Sequence, residues 1–196
     1  MDFNNDILIK AFKNGNKEEF FANLDKAEHY YEVNGKIFSF FYALTDIYSW
    51  ETKEGEVQNT QLEILKALIN EKDKNGKYKY DINDFVRFGK GAYKNNFKPI
   101  DLALIHNKGK LALYMLTRPD IDLQKPVNVV RKNLEYEEYP IYYAFAFCPE
   151  VGAYMVNKGL VDIDSPAFKG FGSINTKQLV EKYTEDIRKN NDELVR

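Results

Sequence analysis

Few side chains in this sequence suit bond-making chemistry, and their spacing limits what they could do. Its 196 residues include one cysteine, Cys148, and two histidines, His29 and His106. A nucleophilic cysteine needs an adjacent base and a group to orient that base, and neither histidine is placed near Cys148. Apolar packing beside Phe147 is the expectation for this thiol. Two histidines without a His-Glu-x-x-His spacing do not make a zinc enzyme. Phe88-Gly89-Lys90-Gly91-Ala92-Tyr93 puts glycines around a lysine. It lacks the Gly-x-x-x-x-Gly-Lys-Ser/Thr order of a phosphate loop and a buried strand before it, so an exposed hairpin or loop is expected. Asp120-Ile121-Asp122 and Asp162-Ile163-Asp164 pair carboxylates twice. Calcium loops need about six or more oxygen ligands in one compact run, so these aspartates are expected to accept bonds from turn amides. No catalytic residue, metal or cofactor is expected.

Recognition chemistry is better supplied. The 84–98 connection carries Arg87, Phe88, Lys90, Tyr93 and Lys94, with Phe97 and Lys98 following. A basic-aromatic mixture suits an acidic protein segment, with RNA as the weaker reading. The next connection carries Arg131 and Lys132, then Glu135, Tyr136, Glu137, Glu138 and Tyr139. A change of charge sign along successive connections favours a shaped protein partner over a uniform polyanion. Trp50 is a further anchor candidate. The competing reading makes each connection a solvated loop with its aromatics turned inward.

Bulk properties agree with this emphasis. Lysine and arginine number 28 against 30 acidic residues, a formal charge of −2, which gives no general attraction to nucleic acid or anionic membrane. A lone cysteine excludes an intrachain disulfide framework and suits a reducing compartment. No secretory signal peptide is expected from Met1-Asp2-Phe3-Asn4-Asn5-Asp6, nor does any uncharged stretch reach the length needed to span a bilayer. A cytoplasmic location is expected, and export by a route without such a leader stays open. Fourteen tyrosines, 14 phenylalanines and one tryptophan must largely fill a core, and those left outside are material for protein recognition.

The elements that position these residues follow from a degenerate repeat. Lys98-Pro99-Ile100-Asp101-Leu102-Ala103-Leu104 recurs 41 residues later as Tyr139-Pro140-Ile141-Tyr142-Tyr143-Ala144-Phe145. Each copy precedes a second apolar stretch and an Asp-Ile-Asp tripeptide, which implies one stacking unit used more than once. Pro99 and Pro140 suit the first turn of a helix. Asn107-Lys108-Gly109 reads as an inter-helix turn, and Cys148-Pro149 as the corresponding interruption. Earlier, Asp6 or Asn5 caps a helix carrying Ile7, Leu8, Ala11 and Phe12. Asn14-Gly15-Asn16 turns the chain, and a second helix from Lys17 to about Ala27 buries Phe20, Phe21 and Leu24. A third is expected over Ile37 to Tyr48. Residues 49–60 read as an inserted loop holding Trp50, with Thr60 capping the next helix and Glu63 completing a capping box. Asp81-Ile82-Asn83 looks like a weaker copy of the later tripeptides.

Aligned in this way, the chain resembles an ankyrin-repeat protein. Lys98-Pro99-Ile100-Asp101 and Tyr139-Pro140-Ile141-Tyr142 fall where that family opens with Thr-Pro-Leu-His, and Ala103 and Ala144 match its following alanine. The Asp-Ile-Asp tripeptides fall where the family has its Ala-Asp-Val-Asn turn. The family's Thr and His are replaced here, and its spacing of about 33 residues stretches to about 40, which implies long, irregular fingers. The resemblance implies an all-α fold: a short α-solenoid of about four helix-pair units, 5–33, 34–83 with the 49–60 insertion, 96–123 and 137–165. A capping helix follows at 176–189. It also implies a non-catalytic module for binding another protein through the concave surface and finger tips. Two other readings stay open: a small hydrolase or transferase with a non-standard site, and a structural subunit that self-associates through aromatic surface.

Overall fold

A computed structural model describes residues 6–27, 30–33, 36–51, 55–84, 87–88, 97–131 and 134–161. At Asp6 the carboxylate accepts the Leu8 and Ile9 amides at 2.8 and 3.1 Å, satisfying donors that a first helical turn leaves without partners. This cap opens α1 (Ile7–Lys13), and Asn16 caps α2 (Lys17–Ala22) through the Glu19 amide at 3.1 Å. Gly15 joins the two with φ 64°, and a β-carbon there would meet the Val57 backbone at 3.0 Å. The left-handed conformation and the close approach both call for glycine.

Three further helix pairs follow among the described residues: α3 (Phe40–Trp50) with α4 (Glu56–Asn70), α5 (Pro99–Ile105) with α6 (Gly109–Met115), and α7 (Pro140–Phe147) with α8 (Pro149–Asn157). The first helix of each pair packs on the first helix of the next, in the order α1, α3, α5, α7. The second helices form a parallel series, α2, α4, α6, α8. The described chain is thus mostly helical. Its core recurs by position: Leu8, Ala11 and Phe12 on α1 correspond to Phe40, Ala43 and Leu44 on α3. Ile100, Ala103 and Leu104 take these places on α5, and Ile141, Ala144 and Phe145 on α7. All twelve are buried. A large residue, a small one three on and a large one next to it put one apolar edge on each helix. The alanine lets neighbouring helices approach, and each fully buried large side chain contributes about 1.5–3 kcal/mol.

Antiparallel strands stand in three of the connections. β1 (Tyr30–Val33) pairs with β2 (Lys36–Ser39), and β3 (Arg87–Phe88) adds to β2 through Lys36–Phe88 and Ile37–Arg87. β4 (Val127–Arg131) pairs with β5 (Leu134–Glu138), from Val127–Glu138 to Arg131–Leu134. Each two-stranded hairpin leads into a first helix, α3 or α7.

Several local expectations change. The helix expected from Ile37 starts at Phe40, because residues 36–39 pair with β1 and Ser39 caps α3, its Oγ accepting the Tyr42 amide at 3.3 Å. The 49–60 insertion shrinks: α3 runs through Trp50, and α4 begins at Glu56. Thr60 lies within α4, its hydroxyl donating to the Glu56 carbonyl at 2.9 Å, and Glu63 accepts the Lys17 ammonium instead of a cap amide. Packing explains this upstream start, since Val57 covers Gly15 and buried Gln61 donates to the Phe12 carbonyl at 3.2 Å. The second helix stops at Ala22, a single 3-10 turn follows at Leu24–Lys26, and Phe21 is exposed while Phe20 is buried. Asp162-Ile163-Asp164, His29 and the helix expected at 176–189 lie outside the described residues.

Candidate interaction surface

The anchor candidates divide among three places. Trp50 is the last residue of α3. Arg87 and Phe88 form β3, paired with β2. Arg131 and Tyr136 sit in the β4–β5 hairpin, where Arg131 pairs with Leu134 and Tyr136 with Val129. Lys90, Tyr93, Lys94 and Lys132 lie outside the described residues. The expected finger residues therefore occupy two separate sheets, and Trp50 occupies a helix end.

At that helix end a defined cluster forms. Trp50 leaves 66% of its surface open. Its indole lies against the His106 imidazole with ring centroids 4.3 Å apart and planes tilted by 59°. Its Nε1–H donates to Asp46 Oδ1 at 3.2 Å, one helical turn back on α3. Phe38, Tyr42, Asp46 and Trp50 follow one another at four-residue spacing, so the last three form a single stripe along α3. Tyr42 packs against Phe38 with ring centroids 5.9 Å apart, and Phe38 and Phe97 pack against the buried pair Tyr42 and Leu102. Phe97 then meets Tyr143 of α7 edge-on at 5.9 Å. Apolar contact thus runs from α3 past the start of α5 to α7.

Charge on this stripe is sparse. Burial lowers the pKa of His106, partly opposed by the Asp46 carboxylate, and Lys108 lowers it further. Burial raises the phenol of Tyr42, helped by Asp46 and Asp101. The ammonium of Lys108 bonds the Glu51 carbonyl and lies 5.2 Å from the Tyr48 ring centroid. The sequence weighed His106 only as a base for Cys148 or a zinc ligand; its contact with Trp50 joins residues 56 positions apart, for which no motif exists.

Buried ions hold the connections in place. Lys98 is 2% exposed, and its Nζ donates to the carbonyls of Asp122 and Lys125 at 2.7 and 2.6 Å, fixing the turn that leads to β4. Its backbone N–H donates to Asp101 Oδ2 at 2.8 Å, at the start of α5. Asp101 is fully buried, and desolvation lifts its carboxyl to about 6 against the opposing pull of Lys98. Arg118, also 2% exposed, donates to the carbonyl of Ile69 at 2.7 Å and of Tyr80 at 3.2 Å. It meets Asp120 through Nε at 2.7 Å and Nη2 at 2.6 Å, with Tyr78 stacked 3.5 Å from its guanidinium carbon. Asp122 accepts the Gln124 and Lys125 amides, each at 3.0 Å, as its turn chemistry implied. Asp120 instead serves Arg118. Asn83, from the weaker copy of the tripeptide, donates to the Asp120 carbonyl and accepts the Asp122 amide, each at 2.7 Å.

Cys148 is buried, and its thiol contacts the Leu104 carbonyl at 3.5 Å and Asn107 Oδ1 at 3.4 Å. Burial, and then Glu150, push that thiol up to about 12, so thiolate is scarce at neutral pH. Phe147, its expected packing neighbour, is 47% exposed. Open clefts flank the helices among the described residues. One of about 740 Å³ runs between Tyr30, Phe40, Tyr78 and Tyr80 with Asp25, Asp81 and Asp84 on its margin. Another, of about 680 Å³, lies beside His106, Lys108, Lys110, Gln58 and Asn59. Among the described residues, no group of three His, Cys, Asp or Glu side chains is placed to hold a metal ion, and no helix is long and apolar enough to cross a membrane. Comparison of the chain with protein-family models, with curated proteins and with solved structures finds no match.

Proposed function

We propose that this chain is a non-catalytic protein-binding module, a short ankyrin-like array of helix pairs whose first helices and hairpins meet the partner. The recurrent buried triplets on α1, α3, α5 and α7, together with the two series of helix contacts, support a stacked array. The observation that carries the binding reading is Trp50. A large aromatic with most of its surface open, oriented by a hydrogen bond and a ring contact, is a rigid anchor that loses little conformational freedom on association. Phe147, at the end of α7 and equivalent in the repeat to His106 just past the end of α5, adds a second exposed aromatic on the first-helix series.

The test is affinity capture from native lysate, with the wild type beside Trp50→Ala/Phe147→Ala and Arg87→Ala/Arg131→Ala. Specific partners recovered by the wild type are expected to be lost with the first variant and reduced with the second, at unchanged far-UV circular dichroism. Equal recovery by all three proteins rejects the surface. Sedimentation of the isolated chain addresses self-association: a concentration-dependent oligomer abolished by the first double substitution assigns the face to a second copy instead.

A further inference from the structure

We propose that the cleft between β1 and the 71–84 segment receives a lysine-bearing segment of the partner protein, the lysine stem lying on the rings and its ammonium at the rim. The inference rests on the protein-binding reading above and adds the partner's chemistry at the end of α3 away from Trp50. Phe40, buried at the first residue of α3, meets the Tyr80 ring at 5.9 Å between centroids, and together they form an aromatic floor. Tyr30 adds an exposed ring from β1, and Tyr78 adds one from the 71–84 segment. The Arg118 guanidinium, stacked 3.5 Å from the Tyr78 ring centroid, fixes that ring in place.

The rim carries the charge. Asp25, in the 3-10 turn Leu24–Lys26, and Asp81 are both exposed beside the cleft. Asp81 Oδ1 accepts the Asn83 amide at 2.8 Å, which orients the carboxylate and leaves it further lone pairs. Neither Asp25 nor Asp81 meets a cation among the described residues. Of the lysines beside the cleft, Lys79 is bonded to Glu71. Lys77 lies by Asp73, whose carboxyl is held below its ordinary range by the Lys77 and Asn75 amides and by the Lys77 charge. Leaving aside Asp84, which is buried, the rim keeps its negative surplus at Asp25 and Asp81. Lysine suits this arrangement because its methylene stem covers apolar surface while the ammonium stays at the water boundary. An anion would face the two carboxylates, and a wholly apolar segment would strip their water with no compensating bond. Exposed ion pairs are weak and screened by salt, so the stem contacts must share in the affinity. At about 740 Å³ the cleft takes more than one side chain, which favours a segment over a lone residue.

The full chain is titrated calorimetrically at low salt and neutral pH with an acetylated, amidated Gly-Lys-Leu-Lys-Leu-Lys-Gly peptide. Two parallel peptides carry acetyl-lysine, which keeps the stem without the charge, or diaminopropionate, which keeps the charge on one methylene. The lysine peptide is expected to bind saturably, the acetylated one at least about tenfold more weakly and the short-stemmed one at least about threefold more weakly. Asp25→Asn/Asp81→Asn, which retains an acceptor for the Asn83 amide, is expected to weaken the lysine peptide about tenfold, the worth of two exposed ion pairs. Glu18→Gln/Glu137→Gln makes the same change of net charge at exposed positions away from the cleft and should bind like the wild type. No saturable binding, equal binding of any two peptides, or equal loss in the two double variants overturns the proposal. So does a concentration-dependent oligomer in sedimentation that Asp25→Asn/Asp81→Asn abolishes, because the occupant is then a second copy. Its failure is separable from failure of the binding surface. Partners lost with Trp50→Ala/Phe147→Ala, with no binding of the lysine peptide, would keep the surface and sink the cleft.

Discussion

Replacing Arg118 tests how the helix pairs are joined. Its guanidinium is almost wholly enclosed and spans the end of α4, the 71–84 segment and the turn after α6. The bond to the Ile69 carbonyl is buried and charge-assisted, worth about 1.5–3 kcal/mol. The longer bond to Tyr80 and the stack on Tyr78 add about 0.5–1 kcal/mol each. Asp120 is half-exposed, so its pairing contributes no more than about 1 kcal/mol. Desolvation of the guanidinium offsets part of this. Arg118→Met, which fills the same space without donors, is therefore expected to cost about 3 kcal/mol, chiefly because two carbonyls lose their partners. Arg118→Lys, with one compact ammonium in place of a planar fork, recovers less than half of that. Urea unfolding followed by circular dichroism measures both, with unchanged m-values required for the comparison. For a chain of this size the loss corresponds to a midpoint roughly 6–12 °C lower on heating. Arg118→Met within about 0.5 kcal/mol of the wild type would refute the reasoning, since the carbonyl bonds would then contribute nothing net.

Three other outcomes are expected. Asp101 is raised from 3.8 to about 6, so the folded state holds its proton more tightly than the unfolded chain. Its charged form therefore costs stability, a cost absent below pH 3.8 and complete above about 6. The stability difference between wild type and Asp101→Asn should shift against the wild type by on the order of 3 kcal/mol across that window, and a pH-independent difference would contradict it. His106 moves the other way: its lowered pKa means the folded state binds fewer protons, so its contribution is full above the unfolded value of 6.5 and is lost as pH falls through the folded one. Quenching of Trp50 by the imidazolium should titrate below 6.5 and vanish in His106→Gln; a midpoint at or above 6.5 would count against the contact. Gly152→Ala places a methyl 3.0–3.1 Å from the Phe145 ring in a packed interior, an overpacking expected to cost about 1–3 kcal/mol in thermal or urea unfolding, where full stability would mean the ring moves freely aside.

Much of the helical plan was legible because local signals agreed. Asp6 as a cap, Pro99 and Pro140 in first turns, and the apolar spacing around Ala11, Ala103 and Ala144 all point to the helices found there. Residues 36–50 were harder. Apolar content is nearly continuous from Ile37 to Trp50, so periodicity alone did not divide the strand from the helix, and Ser39 marks the boundary only once β2 is paired. Trp50 was legible as an anchor, but its polar neighbours led to a loop assignment that the length of α3 corrects. His106 and Asp46, which complete the Trp50 cluster, were not legible as a site, because their approach depends on how α5 packs against α3. Lys98 was read as part of a connection and nothing in the sequence singled out Arg118, since charged side chains are rarely enclosed without partners. Their partners are carbonyls 24 to 49 positions away, and a carbonyl leaves no mark in a sequence.

The use of backbone acceptors by Lys98 and Arg118 has a consequence for how this molecule can drift. The carbonyls at 69, 80, 122 and 125 are supplied by whatever amino acid stands there, so those positions can change type while the bonds persist. The whole burden of identity falls on the two donors. A lineage of such proteins could therefore vary these connecting turns widely, and with them what the turns touch, while two enclosed cations keep the 71–84 and 122–125 segments seated at the same depth. Substitution tolerance along the turns and intolerance at the donors are two faces of one arrangement.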